Sequence, residues 1–311
     1  MKNWNYAFEV PEQKKIRMIV HTDCKNEADD QFALAHHLMT PKFIIKGIIG
    51  AHFNSSPKQY GVGHTAQASV DEIEKVLSLM GVSGEYRVAK GAELPMVDEK
   101  TPRDSAGARL IIEEAMREDE HPLFVAFLGG LTDLGSALLL EPRIAERMTA
   151  VWIGGAPYPQ GGQEFNISQD VHADNVVMKS TLPLWQIPSN VYKQMAVSLA
   201  ELQVRVRPCG KIGAYLFQQM VDFNMTLADR PLWPHGETWC LGDSPTIGVL
   251  LEEPKKKNLF DMVSAPEINP DLTYSFPGTH REIRVYHTVN DRLTLEDFYA
   301  KLALNFPPER P

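Results

Sequence analysis

Three Asp, one Glu and one Asn fall within the eight residues Asp23-Cys-Lys-Asn26-Glu27-Ala-Asp29-Asp30. Carboxylates crowded this closely repel one another and resist ionising unless a cation holds them. Their oxygens are hard ligands, so the cluster reads as a site for Ca²⁺ or Mg²⁺. Helix capping competes with that reading. Asp29 and Asp30 fall in the first turn of a predicted helix, where acids meet free N–H groups and the positive end of the macrodipole. Capping accounts for at most two of the acids and leaves Asp23 and Asn26 without a role. The metal reading is favoured.

A strand and a helix must hold this cluster. The apolar, β-branched run Ile16–Thr22 ends at Asp23, and a helical pattern spans Ala28–Met39. Further strand-like runs are Phe43–Ala51, Tyr86–Ala89, Leu123–Leu128, Ala150–Ile153 and Leu184–Ile187. Helix-like runs at Ala66–Leu79, Ala106–Arg117, Leu131–Leu140 and Ala173–Lys179 alternate with them. This alternation predicts an α/β fold, a mostly parallel open sheet with helices on both faces. From about Val197 to Leu251 the pattern is helical, broken by a Trp- and Pro-rich stretch at Arg230–Trp239, and reads as a lid. A late strand at Arg281–Val289 and a helix at Leu295–Leu304 follow. No repeat or linker divides residues 1–311, which read as a single domain.

Open parallel sheets bind ligands at the carboxyl ends of their strands. His52 and Asn54 follow the second strand, and Gly129-Gly130-Leu131-Thr132-Asp133 follows the fourth. Gly154-Gly155 leads on to Glu164, Asn166, Asp170 and His172, and Gly242-Asp243-Ser-Pro precedes a late apolar helix. Taken singly, most have a structural explanation: Thr132, Asp133 and Asp243 can cap helices, and His172 can open one. Taken together, four strand ends carrying Asp, Asn, Thr and Glu converge on one crevice.

The net charge of −9, without basic clusters, argues against nucleic acid and anionic membranes as partners. No apolar run approaches the roughly 20 residues of a membrane span, and the polar start of the chain lacks a signal-like apolar segment. Cys24, Cys209 and Cys240 are too few and scattered for a disulfide framework, which fits a cytoplasmic protein. Gly242-Asp243 is similar to the late motif of haloacid-dehalogenase phosphatases, but Cys24-Lys25 follow Asp23 where that fold wants a second Asp.

The set Thr22-Asp23…Asp29-Asp30, Asn54, Gly130-Leu131-Thr132-Asp133, Gly154-Gly155…Glu164-Phe165-Asn166 and Asp243-Ser-Pro245 resembles the inosine–uridine-preferring nucleoside hydrolases. The order and approximate spacing run over residues 16–251. The resemblance implies Ca²⁺ at the bottom of a pocket, ligated by Asp23, Asp30, the Thr132 carbonyl and Asp243. There it would bind the sugar diol and a water that Asp23 deprotonates as general base. Asn26, Asp29, Asn54, Glu164 and Asn166 would hold a nucleoside or related ribosyl substrate. The implied reaction is hydrolysis of an N-glycosidic bond by a homo-oligomer, a dimer or tetramer. Its transition state is oxocarbenium-like, which nearby carboxylates and strong sugar-hydroxyl contacts favour.

The chain departs from the family at three places. Its first acidic loop is two residues longer than the usual Asp-Pro-Gly-x-Asp-Asp, a form similar to a divergent nucleoside hydrolase-like subgroup. Gly242 stands where a leaving-group-protonating His is often found. A ribose-binding Asn expected after Gly155 is displaced, with Gln160 or Gln163 as replacements. His235 on the lid is the favoured proton donor, ahead of His52 and His172, and Trp233 and Trp239 are candidate stacking surfaces. A non-catalytic Ca²⁺-dependent carbohydrate-binding protein is the alternative reading.

Overall fold

The computed structural model describes residues 4–230, 236–252 and 257–307. His235 and Trp233 lie outside the described residues. The strands are β1 (Ile16–Thr22), β2 (Phe43–Gly50), β3 (Val88–Lys90), β4 (Leu123–Phe127), β5 (Met148–Ile153), β6 (Leu184–Ile187), β7 (Ala196–Ser198), β8 (Thr238–Cys240), β9 (Phe260–Ser264), β10 (Glu267–Ile268), β11 (Tyr274–Ser275) and β12 (Glu282–Tyr286). Eight of them form one sheet in the order β3-β2-β1-β4-β5-β6-β12-β9. All its pairings are parallel except β12 with the edge strand β9.

The helices between these strands are α1 (Asp30–Met39), α2 (Thr65–Leu79), α3 (Ala106–Met116), α4 (Thr132–Leu140) and α5 (Val171–Lys179). After them come α6 (Ser189–Tyr192), α7 (Leu199–Arg205), α8 (Gly210–Thr226), α9 (Pro245–Leu251) and α10 (Asp291–Asn305). Every residue of β1 is buried, as expected of a central parallel strand covered on both faces. Two apolar clusters account for the cover. One packs Met18, Val20 and Ile48 with Phe32, Leu38, Ile73 and Phe298; the other packs Ile19, Ile49 and Val125 with Leu110, Leu134 and Val177. Successive residues of β1 thus enter opposite layers, as the period of a strand requires.

The chain order reverses between β1 and β4, which makes their carboxyl ends the natural crevice of the sheet. Buried polar contacts brace that edge from below. His21 Nε2 lies 2.9 Å from Asp133 Oδ2, and Asp133 Oδ1 accepts from the Ala92 N–H at 3.0 Å. The predicted α/β fold is the observed one, although the region read as helical from Val197 to Leu251 also holds the antiparallel ribbon β7–β8. Trp239 lies in β8, only 3 % exposed and edge-on to Phe223, so it is packed in the interior and offers no stacking surface. Strand β9, unread in the sequence, completes the sheet edge.

Candidate active site

The turn after β1 carries the acids into the crevice. The Asn26 N–H donates to the Asp23 carbonyl at 2.7 Å, a tight turn that lets the chain re-enter as α1 at Asp30. Asp29 and Asp30 are joined there by Asp243, from the loop before α9. Each of the three offers a carboxylate oxygen within 4.8 Å of the others, and all three are buried. Thr22 donates its hydroxyl to Asp30 Oδ1. Asp23 is also buried, and its Oδ2 has no hydrogen-bond partner among the described residues. The loop after β4 passes directly against it. A Cβ built on Gly129 would lie 2.9 Å from Asp23 Cγ and Oδ1, so glycine is needed for that approach.

The electrostatics follow from this crowding. Burial, and then repulsion from Asp30 and Asp29, pushes the Asp23 carboxyl well above its ordinary range. Burial and the neighbouring acids do the same to Asp29 and Asp243, and burial raises Asp30 to about 7. Buried, mutually repelling carboxyls with an orphan oxygen among them are the donor set that a hard divalent cation satisfies.

Glu164 and Asn166 form another wall of the cleft. Glu164 Oε2 accepts from the backbone N–H groups of Gly155 (2.8 Å) and Ile167 (3.0 Å), while Oε1 accepts from the Tyr192 hydroxyl (2.9 Å). Asn166 Nδ2 donates to the carbonyls of Leu128 and Ile153, both at 2.8 Å, tying the ends of β4 and β5 together. Asn26 and Glu27 complete the polar lining, and Leu128, Ile153, Phe165 and Tyr192 supply the apolar part. The cleft is narrow, with a cavity of about 60 Å³ between these side chains.

Asp23, Asn26, Asp29, Asp30, Glu164, Asn166 and Asp243 are thus brought together, while two of the predicted residues are not. Asn54 does not line the cleft: its Nδ2 donates to the Glu93 carbonyl and its Oδ1 accepts from the Gly63 N–H at 3.0 Å, so it ties two loops together. Thr132, expected to offer its carbonyl, is also not among the lining residues. Its hydroxyl donates to Asp170 Oδ2 at 2.7 Å and faces His52 Nε2 at 2.8 Å beneath the site. Leu128, four residues earlier and just after β4, is among the lining residues. Gln160, Gln163 and His172 are exposed and outside the lining. Leu128 and Tyr192 had no assigned role from sequence, while Glu27 entered only as a member of the acidic cluster and Phe165 only between Glu164 and Asn166.

Residues 18–297 match the family model for inosine-uridine preferring nucleoside hydrolases. The chain belongs to that family. It is therefore an N-glycosyl hydrolase, built around the buried Asp cluster described above. Among individual relatives of this nucleoside hydrolase, the chain is similar to the inosine-uridine preferring nucleoside hydrolase of Leishmania major. The two are 31% identical over 129 residues, which cover 40% of this chain and 41% of that one. It is 23% identical over 256 residues to the pyrimidine-specific ribonucleoside hydrolase RihA of an Enterobacter species, covering 74% of this chain and 78% of the relative. A purine-preferring ribonucleoside hydrolase from Gardnerella vaginalis shares the fold with a TM-score of 0.72 at 18% identity, over 93% of this chain and 99% of that one.

Proposed function

We propose that this nucleoside hydrolase is Ca²⁺-dependent and cleaves the N-glycosidic bond of a ribonucleoside or related ribosyl compound, with Asp23 as general base. The carrying observation is the orphan Asp23 Oδ2, buried beside the Asp29, Asp30 and Asp243 carboxylates. Asp30, Asp243 and Asp23 would hold the ion, with the Leu128 carbonyl preferred over that of Thr132 because Leu128 lines the cleft. When bound, Ca²⁺ would neutralise the acids and bind the sugar diol through oxygen.

The remaining work belongs to side chains. Asp23 Oδ2 accepts the proton of the attacking water as the C1′–N bond breaks. Asp29, Glu164, Asn166 and Asn26 orient the ribose, and the carboxylates stabilise positive charge developing on the sugar ring. Ile153, Phe165 and Tyr192 limit bulk water around that cation. Glu164 is supported as a sugar contact because two backbone N–H groups and a phenol hold its carboxylate. Family membership favours this reading over a non-catalytic carbohydrate-binding protein.

We also propose that the chain works as one domain with the 197–251 region as lid, and as a homo-oligomer, as the family resemblance implies. The free thiols Cys24, Cys209 and Cys240 suit a reducing compartment such as the cytoplasm. Among the described residues no helix is long and apolar enough to cross a membrane. The test is turnover of a nucleoside panel by wild type and Asp23→Asn, with Ca²⁺ and with chelator. Ribose release that survives the substitution would remove Asp23 from the mechanism.

A further inference from the structure

We infer that the preferred substrate carries a cationic aromatic leaving group, as in an N-ribosylpyridinium, an inference that rests on the hydrolase reading above. The first observation is charge. Six carboxyl residues line the cleft (Asp23, Glu27, Asp29, Asp30, Glu164 and Asp243), and no Lys, Arg or His is among the lining residues described. A divalent cation held by Asp23, Asp30 and Asp243 would offset two charges, and Glu27, Asp29 and Glu164 lie outside that ligand set. The remaining field favours a substrate that brings positive charge of its own.

The second observation is the wall at Gly242. A Cβ there would lie 3.0 Å from Tyr192 Cδ2 and 3.3 Å from Asp29 Oδ2, so a side chain at 242 would crowd the Tyr192 ring, which would have to give by a few tenths of an ångström. The Tyr192 hydroxyl is committed to Glu164 Oε1 at 2.9 Å. The ammonium of Lys58 is also engaged, donating to the Asn26 carbonyl and lying 4.7 Å from the Phe223 ring centroid in the adjoining cavity. This wall therefore presents an aromatic ring where a proton donor would serve a neutral base. A neutral base leaves as an anion and benefits from protonation. A pyridinium does not: the C1′–N pair moves onto the ring nitrogen, which departs as a neutral pyridine. Water oxygen bonds to C1′, its proton passes to Asp23 and then to solvent, and the products are ribose, pyridine and one proton.

The wall also suits a cation. Tyr192 and Phe165 offer aromatic surface, and a cation against an aromatic face is attracted to it. Glu27, largely buried and bordering both the cleft and the adjoining cavity, adds a carboxyl group at the boundary between them.

The test uses the full-length, Ca²⁺-loaded protein with N-ribosylnicotinamide, uridine, inosine and p-nitrophenyl riboside. We expect kcat/KM for N-ribosylnicotinamide to exceed that for uridine and inosine by about 10-fold or more. Glu27→Gln and Tyr192→Leu should each cut the ratio of cationic to neutral rates by several-fold. A preference for uridine or inosine would overturn the inference. So would a Glu27→Gln loss greater on neutral nucleosides, which would make Glu27 their proton donor. Binding separates this from failure of the hydrolase reading. Calorimetry on Asp23→Asn compares N-ribosylnicotinamide with its uncharged C-glycosidic isostere, benzamide riboside. Tighter binding of the cation supports the inference even if no riboside is cleaved, and equal binding rejects it even if uridine is cleaved.

Discussion

Gly129→Ala should damage catalysis more than stability. The added Cβ would sit 2.9 Å from Asp23 Cγ and Oδ1, whereas ordinary contact begins near 3.4 Å, so the loop or Asp23 must give by about 0.5 Å. Neither has much room. Leu128, just before the glycine, has its carbonyl bonded to Asn166 Nδ2, and Asp23 is buried. Overpacking of this kind costs roughly 1–3 kcal/mol, and in a chain of this size that lowers the melting temperature by something on the order of 5 °C. Displacing the general base is more serious, since a misplacement of about 1 Å costs roughly 100-fold. Half that displacement should lower kcat by about 10-fold, with KM changed far less. The assay is ribose release from a good nucleoside substrate beside a thermal melt. A folded Gly129→Ala protein with wild-type kcat would refute the assignment of Asp23 as the base.

Tyr192→Phe removes one charge-assisted bond to Glu164 and leaves its two backbone donors. A bond worth about 1.5 kcal/mol should appear as a KM raised about 10-fold with kcat nearly kept, and equal losses in both would make Tyr192 part of the chemistry instead. Calcium should raise the melting temperature over that in chelator, because it binds only the folded acid cluster; identical melts would remove the metal. Burial depresses His36, His37 and His52 to about 4, 3 and 4. As pH falls below about 6.5 the unfolded chain takes up protons that these buried rings refuse, so stability drops by up to about 1.4 kcal/mol per pH unit for each, down to the folded values. The raised carboxyls of the cleft act in the opposite sense but are common to wild type and His37→Gln, so across melts from pH 7.5 to 5 wild type should lose stability relative to the variant as pH falls.

The acidic cluster was legible because its signal is local. A buried strand must end, the residues at its end face the crevice, and Asp23, Asp29 and Asp30 have no other use for so many carboxylates. Asp243, Glu164 and Asn166 were reached by the same rule applied to other loops, together with the order of the motifs. That rule also selected Asn54 and Thr132, whose side chains bond elsewhere. A polar residue near a strand end can equally bond the layer beneath the site, and Asn54 is spent on Glu93 and Gly63 while Thr132 is spent on Asp170. Sequence position cannot separate these roles, because they differ by only a few ångströms along the chain's own direction. Helix α1 begins at Asp30 and not at Ala28 for a related reason, since the turn that starts at Asp23 delays it. Tyr192 left no trace at all. It lies fifty residues before Gly242 and belongs to no motif, and its meaning exists only where the two meet. The absence of a side chain at 242 reads in the sequence as something lost. In the fold it is room given to an aromatic ring that also fixes Glu164. Gly242 and Tyr192 are thus one feature spread over two loops. Replacing either alone should leave the wall worse than replacing both, which is the signature of residues sharing one space.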